Sequence, residues 1–327
     1  MQALVVTHLG DEFSGCALAD LPMPEPAAGE LRIRIIAVAL NFPDLLMTRG
    51  AYQFRPALPF TPGMECAGVV DALGAGVDAA WLGREVIAGM RHGAMAQYAI
   101  VDAAMVRAKP AHIDWDVAAA HRVGYLTAWV ALHRRGALRP GEWLLVHGGA
   151  GGMGLAAVEM GRHMGARVIA LASSAEKRAT IERLFAPDAV LAPGDALRDA
   201  VCDITGGRGV DVVFDPVGGD ALHQSLRCIG FGGRILVVGF ASGEIAHIPT
   251  NLPLIKGCAI IGVRAGEYGR HFPDHQRADV AMIDDLLAKG ALRPHISAAY
   301  PLRRWRDAFA SINARRAVGK IILRPWD

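Results

Sequence analysis

Leu144-Leu145-Val146-His147-Gly148-Gly149-Ala150-Gly151-Gly152-Met153-Gly154 decides how the rest of the chain reads. An apolar run breaks into glycine and continues as Leu155-Ala156-Ala157-Val158-Glu159-Met160-Gly161, which has helical composition. A buried strand, a glycine turn and a helix start would bring free backbone N–H groups and the positive end of a helix dipole to one point. That is a site for an anion such as a pyrophosphate. Gly148, Gly151 and Gly154 fall three apart, so the pattern is GxxGxxG and not the more familiar GxGxxG. Glycine-rich strand–helix turns also serve close packing, so the surrounding pattern has to arbitrate.

Downstream the alternation is regular. Strands are expected at Arg167-Val168-Ile169-Ala170-Leu171, Ala189-Val190-Leu191, Val210-Asp211-Val212-Val213-Phe214, Arg234-Ile235-Leu236-Val237-Val238 and Ala259-Ile260-Ile261-Gly262-Val263. Helices are expected near 125–133, 175–185, 195–204 and 221–229. With the glycine strand this makes six strands and intervening helices, a doubly wound parallel sheet. In such sheets ligands bind beyond the carboxyl ends of the strands. Here those ends are rich in small or turn residues, among them Ser173-Ser174, Asp215-Pro216-Val217-Gly218, Gly239-Phe240-Ala241-Ser242 and Arg264-Ala265-Gly266. That leaves room for an extended dinucleotide.

The second strand end separates the two nicotinamide cofactors. A site for NADH usually carries Asp or Glu there, for the ribose 2′-OH. This chain has Ser173-Ser174 followed by Lys177-Arg178. Hydroxyls and cations suit a 2′-phosphate, which points to NADPH. Ser173-x-x-Glu176 also reads as a helix-capping box, and a capping serine can face a ligand as well.

The first 120 residues read differently. Leu31-Arg32-Ile33-Arg34-Ile35 alternates strictly, as a half-wet strand does, and Pro22, Pro24, Pro26, Pro56, Pro59 and Pro62 punctuate the region. Short strands with frequent turns suggest a barrel-like β unit. After about residue 270 the alternation fades into helices near 281–290 and 307–314 and a closing strand, Lys320-Ile321-Ile322-Leu323. That tail is too short for a domain and is expected to complete the first one.

Composition narrows the function classes. In 327 residues the formal net charge is +2, which gives no sign of nucleic acid or of an anionic membrane as partner. The hydrophobic fraction of 52% allows large cores. No apolar run approaches the roughly 18–20 residues that span a bilayer. The start of the chain lacks a signal-peptide pattern. The five cysteines are scattered, with no CxxC pair. A soluble protein of the reducing cytoplasm is the expectation.

The whole chain resembles the medium-chain dehydrogenase/reductase superfamily, and within it the zinc-independent NADPH:quinone oxidoreductase branch. The resemblance rests on Asn41-Phe42-Pro43-Asp44-Leu45-Leu46, Leu58-Pro59-Phe60-Thr61-Pro62-Gly63, Glu65-Cys66-Ala67-Gly68-Val69-Val70, His147 to Gly152, Val237 to Gly243 and Gly319-Lys320-Ile321-Ile322-Leu323. It implies a GroES-like β-barrel domain over 1–120 and 268–327, and a Rossmann NADP-binding domain over 121–267. It also implies a cleft between them and a homodimer. Zinc members carry a Cys ligand where this chain has Asn41 and a His ligand where it has Met64, and nothing matches their four-cysteine lobe. Amide and thioether are poor zinc ligands, so no metal is expected. Without a Lewis acid, the acceptor expected is one that is already electron-poor, a quinone or a conjugated enone.

The resemblance places Asn41 and Tyr52 in the cleft: Asn41 would donate to substrate or hold nearby backbone, the Tyr52 hydroxyl would donate to the developing oxyanion and pass a proton, and Asp44 would be a structural hydrogen-bond acceptor beside Asn41. Cofactor contacts are expected from Thr127, Gly148, Gly151, Gly152, Met153, Ser173, Ser174, Lys177, Gly239, Phe240, Arg264, Gly266 and Arg315. Three departures stand out: His121-Arg122, Arg264-Ala265 and Pro193. Arg264 adds a cation that would serve cofactor or an anionic substrate. An NADPH-dependent enone or enoyl-thioester reductase, and a non-catalytic NADPH-binding interaction protein, are therefore the alternatives to a quinone reductase.

Overall fold

The alternation at residues 31–35 is realised in the longest strand of the molecule. The computed structural model describes residues 1–327. Strands β1 (Gln2–Val6) and β2 (Cys16–Asp20) form an antiparallel pair. β3 (Glu30–Leu40) buries Leu31, Ile33 and Ile35 while Arg32 and Arg34 stay partly exposed. Helix α1 (Phe42–Thr48) follows it, then β4 (Glu65–Leu73), β5 (Glu85–Gly89), β6 (Tyr98–Asp102), β7 (Val106–Ala108) and helix α2 (Trp115–Ala120). One edge of β3 pairs with β4. Its other edge is shared: residues 30–34 pair with β6, and residues 38–40 pair with the chain's last strand. A single long strand thereby ties the start of the chain to its end.

The second unit begins within α3 (Arg122–Trp129), which continues as a π-type turn over Val130–Arg135. Then come β8 (Trp143–Val146), α4 (Gly152–His163), β9 (Arg167–Leu171), α5 (Ala175–Phe185), β10 (Ala189–Leu191), α6 (Leu197–Thr205), β11 (Val210–Asp215), α7 (Asp220–Cys228), β12 (Ile229–Val237), α8 (Asn251–Lys256) and β13 (Ala259–Gly262). The six strands lie in the order β10-β9-β8-β11-β12-β13, every neighbour parallel. Counted from β8 this is 3-2-1-4-5-6, the Rossmann order, with its reversal between β8 and β11. β8 is buried along its whole length, as a central parallel strand must be.

Helices α9 (Ala265–His271) and α10 (Pro273–Ala288) precede β14 (Ile296–Pro301), α11 (Trp305–Asn313) and β15 (Lys320–Arg324). β14, β15, β3, β4, β5 and β7 are neighbours in one sheet, with β6 on β3. This mostly antiparallel sheet, with only β14 and β15 parallel, is the GroES-like unit. The compact units are Met1–Val123 with Pro294–Asp327, and Gly124–Arg293. The second boundary therefore falls near 293 and not at 268. The helix expected at 281–290 starts earlier, at Pro273, and belongs with the Rossmann unit. Asp279 on α10 accepts from Trp129 Nε1 at 2.9 Å and from Arg134 Nη2 at 2.7 Å, which ties α10 to the helical segment ahead of β8. No helix is long and apolar enough to cross a membrane.

Asp279 is 2% exposed, so its removal strands a half-buried indole N–H and a guanidinium at once. Asp279→Ala is expected to lower the unfolding free energy by about 3 kcal/mol in urea denaturation. A change below about 0.5 kcal/mol, the range of an ordinary surface substitution, would contradict the anchoring role.

Candidate functional site

In the Rossmann unit the turn after β8 is built by close backbone contact. Gly148 has φ +59°, a conformation glycine adopts at little cost. A β-carbon at Gly154 would lie 2.1 Å from the Gly148 carbonyl oxygen, so only glycine fits there. Gly149 N–H donates to Leu171 O and Gly151 N–H to Gly148 O. Leu155 N–H to Gly151 O is the first bond of α4. The N–H groups of Gly152, Met153 and Gly154 therefore lie ahead of the helical ladder, as donors aimed out of its start. Gly148, Gly151, Gly152 and Met153 are brought together here as expected from their spacing.

Two residues not singled out from the sequence hold this turn. His147 is 2% exposed, and its Nε2 lies 2.9 Å from Ser225 Oγ on α7. Ser225 Oγ donates to Ala221 O at 2.7 Å, so the hydroxyl accepts from the imidazole, which fixes the Nε2–H tautomer. Burial keeps this imidazole below its ordinary basicity, against the pull of Asp215 and Asp220. Asp215, at the end of β11, caps the neighbouring turn by accepting from the N–H groups of Val217 and Gly218 at 2.8 and 2.9 Å.

At the end of β9, Ser174 is the N-cap of α5 and accepts from Lys177 N–H at 3.2 Å. Ser173 is exposed and Lys177 is half-buried, whereas the Arg178 guanidinium is bonded to the Ala172 and Ser173 carbonyls. The cap therefore falls on Ser174, and not on Ser173 as the Ser173-x-x-Glu176 box suggested. Gly239 and Phe240 follow β12, and Phe240 is 37% exposed beside Gly218, where a β-carbon would meet its ring at 2.7 Å. Arg264 precedes α9 and shares Glu267 with Arg270, and Gly266 lies in that helix. Thr127 is half-buried on α3. Arg315 lies in the other unit, after α11, with φ +54°.

In the GroES-like unit the sequence candidates meet residues that the sequence did not flag. Asn41 caps α1 and is 8% exposed. Its Nδ2 donates to Ala39 O at 3.2 Å and to Glu65 Oε1 at 3.0 Å, and its Oδ1 accepts from Lys320 Nζ at 2.6 Å. Both amide hydrogens are committed, so in this arrangement Asn41 holds the backbone and has no N–H left for a substrate. Lys320 also donates to Glu65 Oε1 at 2.8 Å, and Glu65 Oε2 accepts from Val123 N–H at 2.8 Å. Lys320 is thereby an internal counter-ion to Glu65. Asp44 is fully buried and accepts from Asn41 N–H at 2.8 Å and Gly63 N–H at 2.9 Å. Its pKa rises to about 7, chiefly through burial, against the pull of those two N–H groups and Lys320 and with the push of Glu65. Tyr52 is half-buried against the core of this unit.

Residues 152–281 match the family model described as a zinc-binding dehydrogenase, and residues 27–111 match the alcohol dehydrogenase GroES-like domain. The chain is 36% identical over 330 residues to quinone oxidoreductase-like protein 2 of Rattus norvegicus, covering 98% of this chain and 91% of that one. Among solved structures, a mycobacterial protein complexed with NADPH is 30% identical with a TM-score of 0.91, covering 99% of this chain and 100% of that one. The Escherichia coli quinone oxidoreductase complexed with NADPH is 25% identical, also with a TM-score of 0.91, over 99% and 100% of the two chains. The residues here do not fit the zinc in the family description. Asn41 and Met64 are weak donors, the Lys320 ammonium lies against Asn41 and Glu65, and no three His, Cys, Asp or Glu side chains gather as a metal site requires.

Asp44 sets a pH dependence with a defined sign. Its ordinary value is 3.8 and its folded value about 7, so between these the folded chain keeps a proton that the unfolded chain releases. Its contribution to stability is therefore present at low pH and lost as pH rises through the window. The difference in unfolding free energy between wild type and Asp44→Asn should shift against the wild type, by on the order of a few kcal/mol, between about pH 4 and 7. A pH-independent difference would contradict a protonated Asp44.

Proposed function

The chain belongs to the medium-chain dehydrogenase/reductase superfamily, with quinone oxidoreductase-like relatives, and from that premise we propose that it reduces a quinone with NADPH and no metal ion. The observation that carries the reading is the turn at Gly148–Gly154, whose three forward amides sit beside a run of small residues at the carboxyl ends of β8, β9, β11 and β12. A pyrophosphate is the chemistry such a turn binds. Gly151, Gly152 and Met153 would hold it, while Ser173 and Lys177 would take the ribose 2′-phosphate, since no carboxylate stands at the end of β9 to select a free hydroxyl. NADPH supplies the hydride, and a proton from water completes the hydroquinone.

The chain's own work is orientation and charge. Asn41, fixed by Lys320 and Glu65, keeps the end of β3 and the start of α1 rigid, and Tyr52 follows that helix. With the Asn41 hydrogens committed, the Tyr52 hydroxyl is the donor for the developing oxyanion. An acceptor that is already electron-poor needs no Lewis acid. Arg264 supports the enoyl-thioester alternative less well, because Glu267 lies 3.4 Å from it. The assembly is a homodimer joined along β13, the sheet's open edge, where Ile260 is 36% exposed and Leu254 and Ile255 of α8 are 79% and 67% exposed.

Two measurements check this. Steady-state assays with a small neutral quinone should show a kcat/KM at least about tenfold higher with NADPH than with NADH, and Lys177→Ala should cost NADPH about tenfold while leaving NADH nearly unchanged. Equal use of both cofactors would remove the argument from Ser173 and Lys177. Light scattering after size-exclusion chromatography should give twice the monomer mass, and Ile260→Lys should return it to one. A wild-type monomer would overturn the dimer.

A further inference from the structure

The loop between α1 and β4 and the loop between β5 and β6 are stitched together. Met90 N–H donates to Met64 O at 2.8 Å, Met95 N–H to Pro62 O at 2.8 Å, and Ala94 N–H to Gly63 O at 3.2 Å. Their sequences share an imbalance. Residues 49–64 hold Arg49 and Arg55, residues 90–97 hold Arg91 and His92, and neither stretch contains an Asp or a Glu. Arg49 is already used, bonded to Asn313 and lying over the Phe13 ring. Arg91 has its guanidinium 3.7 Å from the centre of the Phe54 ring and forms no ion pair. His92 stacks on Phe54 at 5.9 Å and meets Phe60 edge-on at 6.0 Å. Phe54, Tyr52, Met64 and Met90 are all half-buried against the same core. An aromatic platform two residues beyond Tyr52 thus carries a cation fixed on its face.

Such a cation is not explained by packing alone. A guanidinium on an aromatic face keeps its in-plane N–H donors directed outward, in the geometry that grips a carboxylate, sulfonate or phosphate. The fixed charge on the platform is that of Arg91, because a guanidinium stays protonated at any working pH. The imbalance also disfavours a cationic acceptor, because no carboxylate in either loop would offset it.

We propose that Arg91 is a specificity-determining residue, and that the acceptor is a planar, electron-poor carbonyl compound carrying an anionic substituent. The ring or enone lies along the Tyr52–Phe54 aromatic surface, and its anionic group bonds to Arg91. This rests on the quinone-reductase reading and narrows its substrate class.

The test compares naphthoquinone with naphthoquinone sulfonate as acceptors for NADPH oxidation, in wild type, Arg91→Gln and Arg91→Lys. The quantity read is the ratio of the two kcat/KM values within each protein, which a general loss of folding or cofactor binding does not move. In Arg91→Gln the sulfonate-to-neutral ratio should fall about tenfold, with much of it recovered in Arg91→Lys. In wild type the ratio should also shrink as salt is raised from about 0.02 to 0.5 M. A wild type that reduces both acceptors with a ratio unmoved by Arg91→Gln would overturn the role of Arg91 and leave the quinone reading intact. A wild type that reduces neither acceptor with NADPH would overturn both.

Discussion

The contact between Gly154 and the Gly148 carbonyl governs the Rossmann unit. It leaves no volume for a β-carbon, and that is why α4 starts so close to the end of β8. The closeness brings the amides of residues 152–154 out where the strand order reverses, the place at which open sheets of this kind bind ligands. Everything else around the turn serves to keep it in place. His147 reaches to Ser225 on α7, and Asp215 caps the next turn along the sheet edge. A dinucleotide would be held mainly by backbone, which demands geometry from the fold more than particular side chains.

The GroES-like unit solves a different problem. It buries Glu65, Asp44 and Lys320 together around Asn41, the position where zinc relatives by resemblance keep a cysteine ligand. A buried carboxylate needs a partner, and Lys320 arrives on β15 because β15 pairs with the end of β3. The resulting network makes Asn41 a rigid strut. The loop after α1 carries Tyr52 and Phe54, and Arg91 of the loop between β5 and β6 lies over the Phe54 ring.

Much of this was legible in the sequence because it is local. Six apolar runs separated by helical segments gave the sheet, and strict alternation at residues 31–35 gave a half-buried strand. The glycine spacing located the turn. What stayed hidden was non-local. Lys320 and Glu65 are 255 residues apart, and nothing in either segment announces the other, although Glu65 sits in a motif adjacent to Met64 and Lys320 in Gly319-Lys320. The committed hydrogens of Asn41 could not be read from a spacing at all. The Rossmann unit ends near 293 because Asp279 pairs with Trp129 and Arg134, about 150 residues earlier, while the fading strand–helix alternation suggested an earlier boundary. Periodicity reports which face of an element is buried, and it is silent on what the element is buried against.

Hydrogen–deuterium exchange of the protein with and without saturating NADPH tests the central claim most directly, because it reads the turn amides themselves. The account predicts slower exchange at residues 151–155 and around Ser173–Ser174 when NADPH is bound. Unchanged exchange in that turn at saturating cofactor would contradict it.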